Sequence, residues 1–366
     1  MILKKLELKN FRNYSNLELD FNKQITIFIG DNAQGKTNIL ESIYVLALTK
    51  SHRTSKDIYL LKQNELFTKI KGIVEEDDTS TLYEVLINEE GKRVSINDNP
   101  LKKVSSYLSR INAIMFCPDD LEIIKGSPST RRSFLNVEIS GFNNNYVRHL
   151  SEYNRILKSR NEYLKTTDKI NKEYYDILTD KLIDLNIKIY LERKKFIDNI
   201  NKYICNIYKN ITGKNNIEVK YESFIDYEKD INDIKLQLQE KYDKVFNNEI
   251  FQKVTLLGIH KDDFSVYLDN IKINNYGSQG QHRVSILCLK LSEIELYKNE
   301  FNKKPILLLD DIFSELDKEK KSNIIKYIEN DLQVFITSTD LNNIDKKIVK
   351  NADIYTIKDG KVIRGE

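Results

Sequence analysis

The stretch Gly30-Asp31-Asn32-Ala33-Gln34-Gly35-Lys36-Thr37 constrains the fold of this chain more than any other. It fits the phosphate-loop pattern G-x-x-x-x-G-K-[ST] at every fixed position. Ile25 to Ile29, just before it, is a β-branched apolar run suited to a buried strand. After it, Ile39, Leu40, Ile43, Leu46 and Ala47 recur at helical spacing. In a strand, glycine loop and helix of this order, backbone N–H groups and a helix N-terminus face a polyphosphate. Gly30 and Gly35 remove the Cβ atoms that would obstruct that approach. The loop residues Gly30, Asp31, Asn32, Ala33, Gln34 and Gly35 are therefore expected to cradle nucleotide phosphates. Lys36 is expected to reach the β- and γ-phosphates, and the Thr37 hydroxyl to ligate Mg²⁺. The competing reading is a plain glycine turn. With only 12 glycines in the chain, a chance match to the whole pattern is rare.

A second half of such a site stands far downstream. Pro305 to Leu309 reads as an apolar strand ending in Asp310 and Asp311. Strand ends of an α/β sheet face the ligand crevice. Asp310 is expected to hold Mg²⁺ directly or through water, and Asp311 to orient or deprotonate the attacking water. Two carboxylates at a strand end also serve as a turn or a helix cap. Their company with a phosphate loop in one chain favours the metal and base roles. Ser278-Gln279-Gly280-Gln281 precedes a helix over 282–298 and forms an amide-rich turn suited to an anion. Alone it is a weak signal. Gln333 to Asp340 supplies another buried strand with a polar tip.

The spacing elsewhere predicts strands at 2–8, 17–21, 69–75, 81–87, 93–97 and 111–116, with Asn97 to Pro100 as a turn. The turn Lys9 to Tyr14 either lays Arg12 beside the nucleotide or is a solvated hairpin. From Asn145 to Ile211 there is no proline and helical periodicity persists. Tyr146, His149, Leu150, Tyr153, Leu157 and Leu164 form one stripe. Tyr174, Leu178, Leu182, Leu185, Ile189, Phe196, Ile200, Tyr203 and Ile207 form a heptad-like seam. Thr166 to Asp168 is read as the turn between two antiparallel helices. A strand over 217–225, a helix over 228–246 and a hairpin around Asp269-Asn270 complete the pattern. The predicted fold is α/β, with a phosphate-loop head over 1–125 and 247–366 interrupted by a helical arm at 126–246. The arm is a lever, a docking surface or simple packing.

Lys+Arg of 58 against Asp+Glu of 55 exclude a uniformly basic nucleic-acid binder, so any such surface must be local. Cation clusters at Arg131-Arg132, Lys158-Arg160 and Arg193-Lys194-Lys195 are the candidates. Cys117, Cys205 and Cys288 match no metal or redox spacing and read as buried thiols. No signal-peptide core opens the chain and no apolar run approaches membrane-spanning length, so a cytoplasmic location and no membrane partner are expected.

Phosphate loop, S-x-G-Q, apolar strand with Asp-Asp and Ser314-Glu315-Leu316-Asp317, in this order, resemble the ATP-binding-cassette ATPase heads of the SMC group. Within that group the chain is similar to the RecF family of bacterial recombination mediators, nearly end to end. The carrying stretches are LKNFRNY, GDNAQGKTNILESI, SHRT, PDDLEIIKGSPSTRRSFLN, SQGQHR and LLLDDIFSELD. The resemblance implies an ATP- and DNA-binding ATPase whose two heads sandwich ATP in a homodimer. It further implies action with RecO and RecR to place RecA on single-strand gaps. In that scheme Ser278, Gln279, Gly280 and Gln281 cap the partner subunit's γ-phosphate. Arg53 resembles the arginine that SMC-type heads carry after the phosphate-loop helix, and Asp317 belongs to a dimer-contact loop. Asp311 stands where transporter cassettes carry Glu, which fits slow, switch-like hydrolysis. No histidine follows the last strand, and the usual Q-loop glutamine is missing near Phe116 to Asp119. Gly258-Ile259-His260-Lys261-Asp262-Asp263 resembles a family G-P-H-R-D-D stretch. Two rival readings are a membrane transporter's ATPase subunit and a nucleotide-switched scaffold with negligible hydrolysis.

Overall fold

Apolar runs such as Ile306-Leu307-Leu308-Leu309 leave no strand face for water, so they belong at the centre of a sheet covered on both sides. In the computed structural model, which describes residues 1–166, 169–225, 230–315, 321 and 332–364, they do so. Six strands lie in the order 361–364, 352–358, 25–29, 334–338, 306–310, 113–116. All neighbours are parallel except the hairpin pair 352–358 and 361–364. The register sets Asp310 beside Thr337 and Thr337 beside Phe28, so three strands end level with one another. Every residue of Ile306–Asp310 and Val334–Ser338 is buried.

A second sheet is antiparallel and takes the order 14–20, 2–11, 67–76, 79–88, 91–96, 99–100. Thr68, Ile70, Gly72 and Val74 alternate inward along Phe67–Glu76. The phosphate-loop helix Lys36–Leu48 packs against this sheet and the parallel one, which explains why it is buried nearly all round. The link between the first two strands shrinks to Arg12-Asn13, because Phe11 pairs with Tyr14. The expected four-residue turn at Asn97 is a two-residue one. Asn97 and Asp98 take φ of 50° and 60°, while Asn99 and Pro100 pair with Ile96 and Ser95.

The chain divides into two compact units, 1–120 with 206–214 and 287–366, and 121–205 with 215–286. Both sheets above lie in the first. The second holds the helices Pro128–Ser140 and Asn144–Thr166 and most of the 41-residue Lys172–Thr212. It also has a three-stranded sheet, 271–272, 263–268, 217–222. The anticipated strand at 217–225 stops at Glu222, and Ile273 opens a short helix. Compared with the expected 126–246, the second unit also takes in the hairpin 263–272, because that hairpin pairs with Ile217–Glu222. On the long helix Tyr175 is buried and Tyr174, assigned to the seam, is exposed. The Thr166-Thr167-Asp168 turn falls at residues 167 and 168, outside the described residues. Cys288 is buried, but Cys117 and Cys205 are only partly so.

Candidate nucleotide-binding site

The phosphate loop leaves the strand Ile25–Ile29 and enters the helix at Lys36. Gly35 has φ 109°, and a Cβ there would lie 2.5 Å from Asn13 Nδ2 and 2.8 Å from Tyr14 Oη. Asn13 and Tyr14 thus brace the loop from outside, with Tyr14 Oη donating to Gly35 O at 3.2 Å. At Gly30 a Cβ would meet Ile357 O at 2.3 Å. From the same hairpin, the Asp359 N–H donates to Gln34 Oε1 at 2.5 Å. Residues of both sheets thus hold the loop.

Inside the loop, Lys36 Nζ donates to Gly30 O at 2.6 Å and Asp31 O at 2.7 Å. Burial pulls its pKa down from the ordinary lysine value, against the pull of Asp311, Asp310 and Asp31. Thr37 Oγ1 donates to Asp310 Oδ1 at 2.9 Å. Thr337 Oγ1 donates to the same oxygen at 2.7 Å and accepts the Asp311 N–H at 2.9 Å. Asp310 is buried, which raises its carboxyl pKa against the lowering effect of these two hydroxyls. Asp311 takes φ 49°, which turns its side chain out of the strand direction. Lys36, Thr37, Arg53, Asp310, Asp311 and Thr337 line one cleft of about 350 Å³. The Thr37 hydroxyl and the Asp310 carboxylate stand side by side in it. Among the described residues no cluster of three His, Cys, Asp or Glu could hold a metal. Hard donors that few fit Mg²⁺, which keeps waters and substrate phosphates in its shell.

Arg12 does not line that cleft. Its Nε and Nη2 donate to Glu41 Oε2 at 2.8 Å and Oε1 at 2.6 Å, and Nη1 to Tyr59 O at 2.7 Å. Its partner Glu41 lies on the phosphate-loop helix and is fully buried, a pairing that no local spacing signals. Arg53 does line the cleft and donates to Asn38 Oδ1 at 3.1 Å. Thr337 was visible only as the tip of an apolar strand, and its tie to both aspartates comes from strand register alone.

In the second unit, Ser278 and Gln281 form a capping box ahead of the helix Gln279–Phe301. The Ser278 N–H donates to Gln281 Oε1 at 2.7 Å, and the Gln281 N–H to Ser278 Oγ at 3.3 Å. Gln279 and Gly280 between them are exposed. Asp317 and Leu316 lie outside the described residues.

One arginine of each cation cluster is buried. Arg160 is fully buried, donating to Glu249 Oε2 at 2.6 Å and Thr255 Oγ1 at 2.7 Å. Arg193 is buried on Tyr146 Oη, Asn136 Oδ1 and Ile259 O. Arg131 makes a two-pronged pair with Asp263 at 2.6 and 2.7 Å. Of each cluster the conspicuous arginine is a packing element, because a guanidinium with five donors can satisfy a polar interior where lysine cannot. Arg131 and Arg193 pack on the G-I-H-K-D-D stretch, through Asp263 and Ile259 O. His260 Nδ1 meets Tyr153 Oη at 2.6 Å, and Asp262 Oδ2 accepts from Tyr221 Oη at 2.6 Å.

The family model described as RecF/RecN/SMC N terminal domain matches residues 2–362. The DNA replication and repair protein RecF of Ligilactobacillus salivarius is 39% identical over 99% of this chain and 97% of its own length. That of Bacillus subtilis is 37% identical over the whole of both chains. A solved recombination mediator protein RecF with ATP, of the RecFOR pathway, superposes with a TM-score of 0.92 at 32% identity. It covers 100% of this chain and 97% of the solved one. An SMC head bound to a winged-helix domain of ScpA shares the fold at TM-score 0.53 and 15% identity.

Proposed function

This chain belongs to the RecF/RecN/SMC N-terminal domain family, and from that premise we propose that it is an ATP-dependent DNA-binding protein of replication and recombinational repair. The observation that carries the ATP reading is the meeting of Lys36 and Thr37 with Asp310 in one cleft, from two distant places in the sequence. On nucleotide binding, Lys36 exchanges two loop carbonyls for the β- and γ-phosphates, trading neutral acceptors for charged ones. The Thr37 hydroxyl and Asp310 hold Mg²⁺, which supplies charge neutralisation at the phosphates. Thr337 orients Asp310 through its hydroxyl and Asp311 through its backbone. Asp311, free of the strand's direction, orients the attacking water and takes its proton. Arg53 reaches the terminal phosphate from the cleft wall.

Ser278 to Gln281 act on the γ-phosphate of a second copy, which makes ATP the glue of a homodimer. The Ser278 hydroxyl proton and the N–H groups of Gln279 and Gly280 are the donors suited to this, since the capping box uses the Ser278 N–H. Hydrolysis is slow, stimulated by DNA, and resets the clamp. In the cytoplasm the dimer binds DNA at single-strand gaps and works with RecO and RecR to load RecA. Among the described residues no helix is long and apolar enough to cross a membrane. The deciding experiment is steady-state ATP turnover with and without gapped duplex DNA. Stimulation by DNA supports the repair reading. Turnover indifferent to DNA would favour a transporter-type ATPase, and no turnover at all a nucleotide-switched scaffold.

A further inference from the structure

Glu41 carries two arginines on one buried carboxylate, and it holds them unequally. Arg12 grips both oxygens at 2.6 and 2.8 Å and is mostly covered. Arg53 approaches Oε2 only to 3.6 Å, with its side chain 42% exposed and facing the cleft. The base of Arg53 is nevertheless fixed. Ser51 Oγ donates to Glu41 Oε1 at 2.5 Å and accepts the N–H groups of Arg53 at 2.9 Å and Thr54 at 3.1 Å. A tethered backbone with a loosely held guanidinium is an arm on a fixed hinge.

Charge decides what that arm can do. A fully buried carboxylate stripped of its only counter-ion is strongly disfavoured, so a sole partner would be unable to leave. With Arg12 paired in two-pronged fashion, Glu41 keeps a counter-ion when Arg53 departs. We propose that Glu41 is the resting place of Arg53, and that Arg12 is its permanent counter-ion rather than a nucleotide ligand. Arg53 moves from Glu41 and Asn38 onto the terminal phosphate of ATP. This rests on the ATP-binding reading above. It makes Arg53 the group that tells ATP from ADP, and Arg12 a positioning residue acting through Glu41.

The test is the ratio of ADP to ATP dissociation constants, measured by displacement of a fluorescent nucleotide from the full chain. Arg53→Ala should lower the preference for ATP by about tenfold or more, the worth of one charged hydrogen bond, with ADP affinity unchanged. Arg12→Ala should show the same selective loss, because Arg53 is then the only counter-ion left to Glu41. Adding Glu41→Gln to Arg12→Ala removes the charge and should restore the preference. Arg12→Lys, which keeps the charge, should retain it and guards against a folding defect in the alanine variant. Equal loss of ATP and ADP in Arg12→Ala, or no rescue by Glu41→Gln, would overturn the assignment by showing that Arg12 acts on the nucleotide itself. Wild type that binds neither nucleotide overturns the reading of the cleft, and this inference with it.

Discussion

Thr37 and Asp310, 273 positions apart, share a hydrogen bond of 2.9 Å between Oγ1 and Oδ1. The bond brings the start of the phosphate-loop helix to the end of the strand 306–310, two places along the sheet from the loop's own strand. It also sets a hydroxyl oxygen and a carboxylate oxygen side by side on one wall of the cleft.

The two adjacent aspartates are expected to separate under mutation. Asp310→Asn removes the carboxylate that Thr37 and Thr337 orient, and should weaken Mg²⁺-dependent ATP binding about tenfold or more. Asp311→Asn leaves that oxygen in place and should bind ATP normally but turn it over at least about a hundredfold more slowly, the scale of a lost general base. Titration calorimetry and single-turnover hydrolysis read the two effects. Equal loss of binding in both variants would mean that the roles are wrongly divided.

Thr337→Val keeps the volume and removes the hydroxyl that serves Asp310 and Asp311 together. Mg²⁺ affinity and turnover should both fall, and Thr337→Ser should recover most of each. Wild-type behaviour of the valine variant in both assays would reduce Thr337 to packing.

Arg160 is expected to matter for stability rather than for DNA. Arg160→Ala leaves Glu249 buried without its guanidinium, which should cost about 3–5 kcal/mol in urea unfolding. The double change Arg160→Met with Glu249→Leu should cost much less, because no charge is stranded. A stable Arg160→Ala with weakened DNA binding would return this arginine to the nucleic-acid surface.

His260 and His52 set a pH dependence. Burial pushes His260 down to about 4 from the ordinary 6.5. Between those values the unfolded chain takes up a proton that the folded chain refuses. Stability should therefore be intact above pH 6.5 and be lost progressively as pH falls toward 4. His52, also pushed down to about 4 by burial, adds to the same slope. Melting temperature against pH should be flatter for His260→Gln than for wild type. Parallel curves would show that His260 is protonated in the fold.

What the residues announced in advance was the nucleotide half of the molecule. A phosphate loop between strand and helix, and an apolar strand ending in two carboxylates, are patterns whose chemistry depends on local spacing. Spacing is visible in one dimension. The arginines misled for the opposite reason: Arg131, Arg160 and Arg193 sit in charged runs and look solvated. Their partners Asp263, Glu249 and Tyr146 lie 132, 89 and 47 positions away. The pairing of Arg12 with Glu41 was hidden likewise, since a glutamate on a helix reads as a solvent-facing residue until the sheet that covers it is known. Strand register alone brought Thr337 to Asp310.

Joint binding of Mg²⁺ and ATP in the cleft around Lys36 is tested most directly by calorimetric titration of wild type and Lys36→Ala with ATP, with and without Mg²⁺. Wild type should bind ATP in a Mg²⁺-dependent manner. Lys36→Ala, folded by circular dichroism, should lose at least about a hundredfold in affinity, the worth of a buried ammonium contact to two phosphates. Wild-type affinity in Lys36→Ala, or binding indifferent to Mg²⁺, would contradict the claim.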